Sequence, residues 1–588
     1  MQRLAPEQLF PILAWGRNYR LSTFASDLNA AVVITVMLIT QSMAYGLLAG
    51  LPPQTGLYAS ILPLMCYALF GSSGALSVGP FAITSIMTAA ALNSAFPDKS
   101  DMAAILHGAA LLALLSGCFL LLFGLFRLGF LSNFISSPVI SGFITASAIT
   151  IAASQVGNLL GGNITLGDIA ESGGSMSRVI NQVNPYTATI SVLAMLLLYI
   201  IPKIIKALVI YLRGSPVLAE LLGKTAPIPV LVVSGLCVAW FRLDTQGVAI
   251  VGAIPEGLPH LALELFHSSH DWNNLVLPDL AISAALISLI TFVSSVSAAQ
   301  SFAAQKRRRV EPDQEAVGLG VANIAASLSG SFPVSGSLSR SAINFKAGSE
   351  TPASGLFTAL GVAVATLYLT PWFYYLPIAA LTAMIIMAVL SLVDFDAIRR
   401  CWNYSKKDFY ALLITLVVTL VGGVESGLSA GVVLSVVLHL YRSSVPHTAV
   451  LGLIPGTEHF RNVLRYDVIT HPDVVVLRID SSLYFANCRF LEDKVNDLVA
   501  TYPDARHLLL VCSAINDIDV SALESLYTIQ QCLLDAGITL HLSEIKGPVQ
   551  DKLRRSHFLE HLSGEVYLTN YAAWTMLASR PVGDDYII

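Results

Sequence analysis

Charge is what this sequence has least of. Asp, Glu, Lys and Arg make up 12% of its 588 residues, about half the share of an average soluble protein. Hydrophobic residues make up 55%, and the mean hydropathy is +0.69. Such a composition excludes an ordinary water-clad globule and puts most of the chain in lipid. The formal net charge of −5 carries no message about a substrate, because the acids gather in the C-terminal part and in loops. Cysteine is sparse too: the 7 are scattered, without a C-x-x-C pair, so disulfide and zinc frameworks find no support. A nucleotide-binding loop is missing. Gly223-Lys224-Thr225 matches only the end of one, since the glycine needed at position 218 is Leu218. ATP-driven work is therefore not expected. His267 and His270 lack further ligands for a metal. No catalytic group, metal, cofactor or nucleic-acid partner is expected. Nor is a cleavable signal peptide: the first long apolar stretch begins near Ala30, behind a polar lead with Arg17 and Arg20.

What is there is a succession of about fourteen apolar segments between Asp27 and Leu440. Their centres fall near Ile34, Leu62, Met87, Leu115, Ile144, Leu196, Val233, Ala285, Val321, Ala342, Leu360, Met384, Leu416 and Val433. Two of them are interrupted. Gly330 to Gly348 reads GSFPVSGSLSRSAINFKAG and carries Arg340 deep in an apolar run. Gly, Pro and Ser break the run, and a helix can restart near Ser337. Ser77-Val78-Gly79-Pro80-Phe81-Ala82 repeats the logic, with Pro80 suited to a first helical position. A helix that begins inside a membrane offers unpaired N–H groups and a positive dipole end, which together make an anion site. Two broken segments in the two halves of a chain point to a carrier's binding site.

Basic residues set an orientation. With the N-terminus inside, inner loops hold Arg127, Lys203, Lys206, Arg213, Lys306 to Arg309, Lys346, Arg399, Arg400, Lys406, Lys407 and Arg442. Outer loops are poorer, and Lys99 and Arg178 there are accompanied by acids. Lys306 to Arg309 alone fits nucleic acid or anionic lipid; beside a span it reads as an orientation signal. The chain divides into a cytoplasmic lead (1–25), a transmembrane domain (26–445), and a cytoplasmic linker with a small α/β domain (446–588). In the last, strand-like Val474–Ile479, His507–Val511 and Thr539–Leu542 alternate with helix-like stretches.

The stretches QSMAYGLLAGLPPQTGLYAS (41–60) and YALFGSSGALSVGPFAITSIM (67–87), with 330–348 and the C-terminal domain, resemble the SulP family of anion permeases, the sulfate permease and prestin-pendrin group. The resemblance covers nearly the whole chain. It implies an all-α polytopic domain of seven plus seven inverted spans, divided into core and gate, then a cytoplasmic STAS domain, in a homodimer of the cytoplasmic membrane. It implies secondary transport of a small oxyanion, sulfate first, with bicarbonate, a C4-dicarboxylate or an uncoupled anion conductance as alternatives. It also implies an anion site from Gln41, Tyr45, Phe81, Ala82, Ser337, Ser339 and Arg340. Gln41 and the serines would donate hydrogen bonds, the two rings would present their edges, and Arg340 would supply charge. A membrane charge is by default functional.

The chain departs from the family at two positions. Ser294 stands where similar proteins often have a Glu linked to cation coupling, and Gly74 where many have Arg. Asp279 reads as a helix-start acid, and Glu425 as a structural residue of a tight outer turn. In the STAS-like domain, Ile518 to Ala522 precedes a helix expected near Ala522. Ser521 matches a phosphorylated serine of some relatives, with Ala522 replacing the following Gly. The other reading makes Ser521 the helix N-cap, with Glu524 completing a capping box. A cytoplasmic protein partner of this domain follows from the resemblance.

Overall fold

The structure is a computed structural model that describes all residues except 1–9, 18, 97–100, 134–135, 163–182, 213–214, 254–256, 260–275 and 579–588. Lys99, Arg178, Arg213, His267 and His270 lie outside the described residues. The chain forms two compact units, Met1–Ser435 and Val436–Ile588.

The first unit is helical. In order come α1 (Leu21–Leu48), α2 (Pro53–Tyr58), α3 (Leu62–Phe70), the two-residue strand β1 (Val78–Gly79), α4 (Ala82–Ala95), α5 (Met102–Leu125), α6 (Ser137–Ser154), α7 (Pro185–Tyr211), α8 (Pro216–Gly223) and α9 (Pro227–Phe241). Then follow α10 (Val276–Gln305), α11 (Pro312–Leu328), the strand β2 (Ser335–Gly336), α12 (Leu338–Lys346), α13 (Ala353–Tyr368), α14 (Ile378–Leu390), α15 (Phe395–Tyr404) and α16 (Lys406–Ser444). Each of the segment centres read from the sequence lies on a helix. Leu416 and Val433 fall on either side of Gly423, where φ 86° and ψ 171° break α16 into two spans. Among the described residues, 8 helices are long and apolar enough to cross a membrane.

Lipid supplies no hydrophobic force to press helices together, so close packing and polar contacts must do it. α5 and α11 meet through glycine: a Cβ on Gly117 would lie 2.8 Å from the Gly320 carbonyl oxygen. Two buried carboxylates tie helices to loops. Glu315 accepts from the Tyr67 hydroxyl (2.7 Å) and from the Ser72 and Ser73 amides (3.0 Å each). Asp27 accepts from the Glu350 amide (2.7 Å) and the Thr351 amide (3.1 Å).

The second unit holds a six-stranded sheet. Its strands are β3 (Thr448–Leu453), β4 (Phe460–Asn462), β5 (Val474–Ile479), β6 (His507–Val511), β7 (Thr539–Ser543) and β8 (Val566–Tyr567), in the order β4-β3-β5-β6-β7-β8. β5 to β8 run parallel, and β3 and β4 are antiparallel. Helices α17 (Cys488–Thr501), α18 (Val520–Asp535), α19 (Gly547–Arg555) and α20 (Asn570–Leu577) cover the sheet. Side chains alternate: Val475, Leu477 and Ile479 join one apolar cluster, while Val474 and Val476 join Trp574 on the opposite face.

Two expectations need correction here. The sheet begins ahead of Val474–Ile479, the first strand expected from the sequence: β3, near the start of 446–588, pairs with β5. Ser521 does not cap its helix. Asp519 does, with its Oδ1 accepting from the Ala522 amide at 2.8 Å, so the helix starts at Val520. Asp reaches the N3 amide as well as Ser does, and Asp519 Oδ2 also accepts from the Phe485 amide at 2.9 Å.

Candidate anion site

The third and tenth of the fourteen segments are both too short to span. α4 has 14 residues and α12 has 9, against about 20 for a full crossing. Each follows one of the two-residue strands, and the strands pair antiparallel, Val78 opposite Gly336 and Gly79 opposite Ser335. The Ser337 amide extends the ladder to the Ser77 carbonyl at 3.1 Å. Gly79 sits at φ +146°, a region that favours glycine. Gly336 is needed because a Cβ would come within 2.7 Å of Leu76 and 2.9 Å of the Ser295 hydroxyl.

Pro80 is not the first helical residue. The chain stays extended through Phe81 (φ −141°, ψ 139°), the N-cap, and α4 begins at Ala82. The reason is the Pro80 carbonyl, which accepts from Arg340 Nη1 at 2.6 Å. The other helix restarts near Ser337 as expected, with Ser337 as its N-cap; its Oγ accepts from the Arg340 amide at 3.5 Å and lies 3.2 Å from the Ser339 hydroxyl. The first N–H groups of both helices have no intrahelical acceptor.

In front of these helix starts lies a cavity of about 270 Å³. Gln41, Tyr45, Phe81, Ala82, Ser337 and Ser339 all line it. Arg340 does not. It is fully buried behind the helix starts, its Nε and Nη2 have no hydrogen-bond partner, and it makes no ion pair among the described residues. The opposite wall comes from α7, α14 and the α8–α9 turn, including Met384 and Met387. Lys224 is the charged side chain on the lining among the described residues.

Ser294 is not on the lining. Its Oγ donates to the Thr291 carbonyl (3.3 Å) and touches the Ser335 hydroxyl (3.5 Å). Its neighbour Ser295 accepts from the Gly336 amide at 2.9 Å. Asp279 lies in the first turn of α10, and Glu425 accepts from the Ser283 hydroxyl at 2.7 Å. Among the described residues no group of His, Cys, Asp and Glu is placed to hold a metal.

The sulfate permease family model matches residues 24–415, and the STAS domain model matches 465–573. The chain belongs to the sulfate permease family. A relative from Arabidopsis thaliana, sulfate transporter 4.1 (chloroplastic), is 36% identical over 95% of this chain and 81% of its own length. Sulfate transporter 1.3 of the same plant is 32% identical over 96% of this chain and 87% of its own. Among solved structures, murine Slc26a9 in its inward-facing state matches with TM-score 0.84 at 21% identity, covering 99% of this chain and 96% of that one. The transmembrane domain of the cyanobacterial bicarbonate transporter BicA matches with TM-score 0.58 at 20% identity, covering 70% and 98%. These likenesses show the fold: a multi-pass membrane protein with a C-terminal STAS domain.

Several residues of the site escaped the sequence reading. Asn323 clamps the strand before α12, its Oδ1 accepting from the Val334 amide (2.9 Å) and its Nδ2 donating to the Val334 carbonyl (3.0 Å). Ser341 Oγ accepts from the Ser77 amide at 2.9 Å. Ser295 and Lys224 belong here too. The available signal was a polar residue inside an apolar run, the same signal that singled out Arg340.

Proposed function

We propose that the protein is a secondary carrier of sulfate that alternates access to a site between the starts of α4 and α12. The observation that carries this is Arg340: a fully buried cation without an acidic partner among the described residues. Burying a lone charge is costly, so its counter-charge is the transported anion. Gln41, Tyr45, Phe81, Ala82, Ser337 and Ser339 form the first contact layer. Arg340 acts from behind, adding field rather than a direct contact. Tetrahedral oxyanions suit a site made of hydroxyls and backbone donors converging from two sides.

The names of the 30–36% identical relatives support sulfate. Bicarbonate is the second reading; the likeness to BicA, at 20% identity, bears on fold alone. Any proton coupling runs through a group other than residue 294, because a hydroxyl there does not titrate. The family resemblance further supports a homodimer, not an enzyme, in the cytoplasmic membrane with both termini inside; 1–25 as lead, 26–445 as transport domain, and 446–588 as the cytoplasmic part. It also supports Ser521 as a regulatory position and a protein partner for the STAS domain. The test is uptake into proteoliposomes with a panel of anions under separate proton, sodium and voltage gradients. Sulfate should be carried best; transport of bicarbonate with sulfate excluded would overturn the reading.

A further inference from the structure

A second cavity, of about 100 Å³, lies away from the anion site. Four segments of the first unit enclose it: Trp15 from the helical turn Ile12–Gly16, residues 72–75 before β1, residues 306–310 after α10, and residues 350–352 before α13. Lys306, Arg308 and Arg309 line it, facing one lining carboxylate, Glu350. Glu350 Oε2 accepts from the Thr23 hydroxyl at 3.2 Å. Lys306 Nζ donates to the Ser349 carbonyl at 2.6 Å, and Arg308 Nη1 to the Glu350 carbonyl at 3.3 Å. An ammonium has three donors and a guanidinium five, so most remain for a ligand. The decisive atom is Trp15 Nε1, which is buried without an acceptor. An orphaned buried donor is unfavourable, and an oxyanion in the cavity would satisfy it.

We propose that this cavity binds the phosphate of an anionic phospholipid headgroup, with Trp15 Nε1, Lys306, Arg308 and Arg309 as its donors. The volume accommodates a tetrahedral oxyanion, since one water occupies about 30 Å³. Trp and Tyr favour the membrane–water interface, and Tyr19 packs edge-on against Trp15 with ring centroids 5.7 Å apart. Phe10, Leu13 and Leu21 around them are exposed, as expected of a segment lying against lipid. The four basic residues from Lys306 to Arg309 fall on the side the positive-inside rule makes cytoplasmic, where anionic lipids concentrate. The cavity touches the segments that lead into β1 and away from α12, so its occupancy bears on the two strands that hold the anion site.

The test uses the full chain in nanodiscs of phosphatidylcholine alone, or with added phosphatidic acid. Lipid retained per chain is read by mass spectrometry and Tm by thermal unfolding. The intact protein should retain phosphatidic acid and gain Tm. Trp15→Phe keeps the ring and removes only the N–H, and should weaken retention by about 5-fold; K306Q/R308Q/R309Q should abolish it. A second arm adds inorganic phosphate to phosphatidylcholine nanodiscs. A Trp15-dependent Tm gain there would support the same site with a soluble ligand as its source. Equal retention by wild type and Trp15→Phe would reduce the cavity to diffuse surface charge and overturn the proposal. So would failure to bind either probe.

Discussion

Replacing Arg340 tests the anion site most directly. At an effective dielectric of about 20 and a separation of about 6 Å, each unit of anion charge gains about 3 kcal/mol from the guanidinium. A dianion gains about twice that. If half is offset by stripped water, Arg340→Ala loses about 3 kcal/mol for sulfate and about 1.5 for a monoanion, or about 100-fold and 10-fold in Kd. Selectivity for the dianion should therefore fall along with affinity. Arg340→Lys should be intermediate, since it restores the charge but not the planar fork. The Ala variant also orphans the Pro80 carbonyl, at a cost of about 1–3 kcal/mol in stability, so Tm is measured beside Kd. The assay is calorimetry of sulfate and a monovalent anion on purified protein. A sulfate Kd within twofold of wild type, in a folded Ala variant, would show that Arg340 only ties α12 to Pro80.

Three further outcomes are expected. Ser294→Glu should make uptake more pH-dependent or trap one conformation; uptake at several outside pH values with voltage clamped checks this, and strong proton-driven accumulation by the unmodified protein would move the search to Asp279 and Glu425. In the STAS domain, burial and then the facing His507 push His541 down to about 4, while Glu565 draws it slightly up. The folded state thus binds the proton less readily than the unfolded one. This stability is full above pH about 6.5, falls as pH drops toward 4, and amounts to at most about 3 kcal/mol; a domain Tm flat between pH 7 and 4.5 would contradict it. Truncation before Thr448 should leave anion binding intact, whereas a cut at 458 leaves β3 without its partner β5 and should aggregate; loss of binding in a folded protein cut before Thr448 would remove the site from the membrane unit.

The spans were legible because composition alone dictates them: each apolar centre became a helix, including the two broken segments. β5 to β7 were legible through runs of Val and Leu bounded by polar turns. β3 was not, because only Val445, Pro446 and His447 separate it from the end of α16. The pairing of β1 with β2 was beyond reach, since two-residue strands have no periodicity and their partners lie more than 250 residues apart. The same distance hid the fixing contacts. Asp27 meets Thr351, Glu315 meets Ser72, and Ser341 meets Ser77; each reads in sequence as a stray polar residue. Arg340 was legible as a charge deep in an apolar run, but its place behind the cavity depended on the Pro80 carbonyl.

The two sides of the cavity differ in how they are held, and that difference bears on how access can alternate. The helix-start side is locked by short strands, by Arg340 to Pro80, by Ser341 to Ser77, by Ser295 to Gly336 and by Asn323 to Val334. Breaking any of these buried bonds would leave a polar group unsatisfied. The facing wall presents Leu198, Met384, Ile385 and Met387, whose contacts are non-directional and can slide. Lys346 and Glu220 join α12 to α8 by an ion pair of 2.6 Å, with side chains 47% and 41% exposed. A pair so exposed is worth less than about 1 kcal/mol, weak enough to open in each cycle. On the proposed site, access would change by movement of the two sides as bodies, with the anion carried against a helix-end site that keeps its shape.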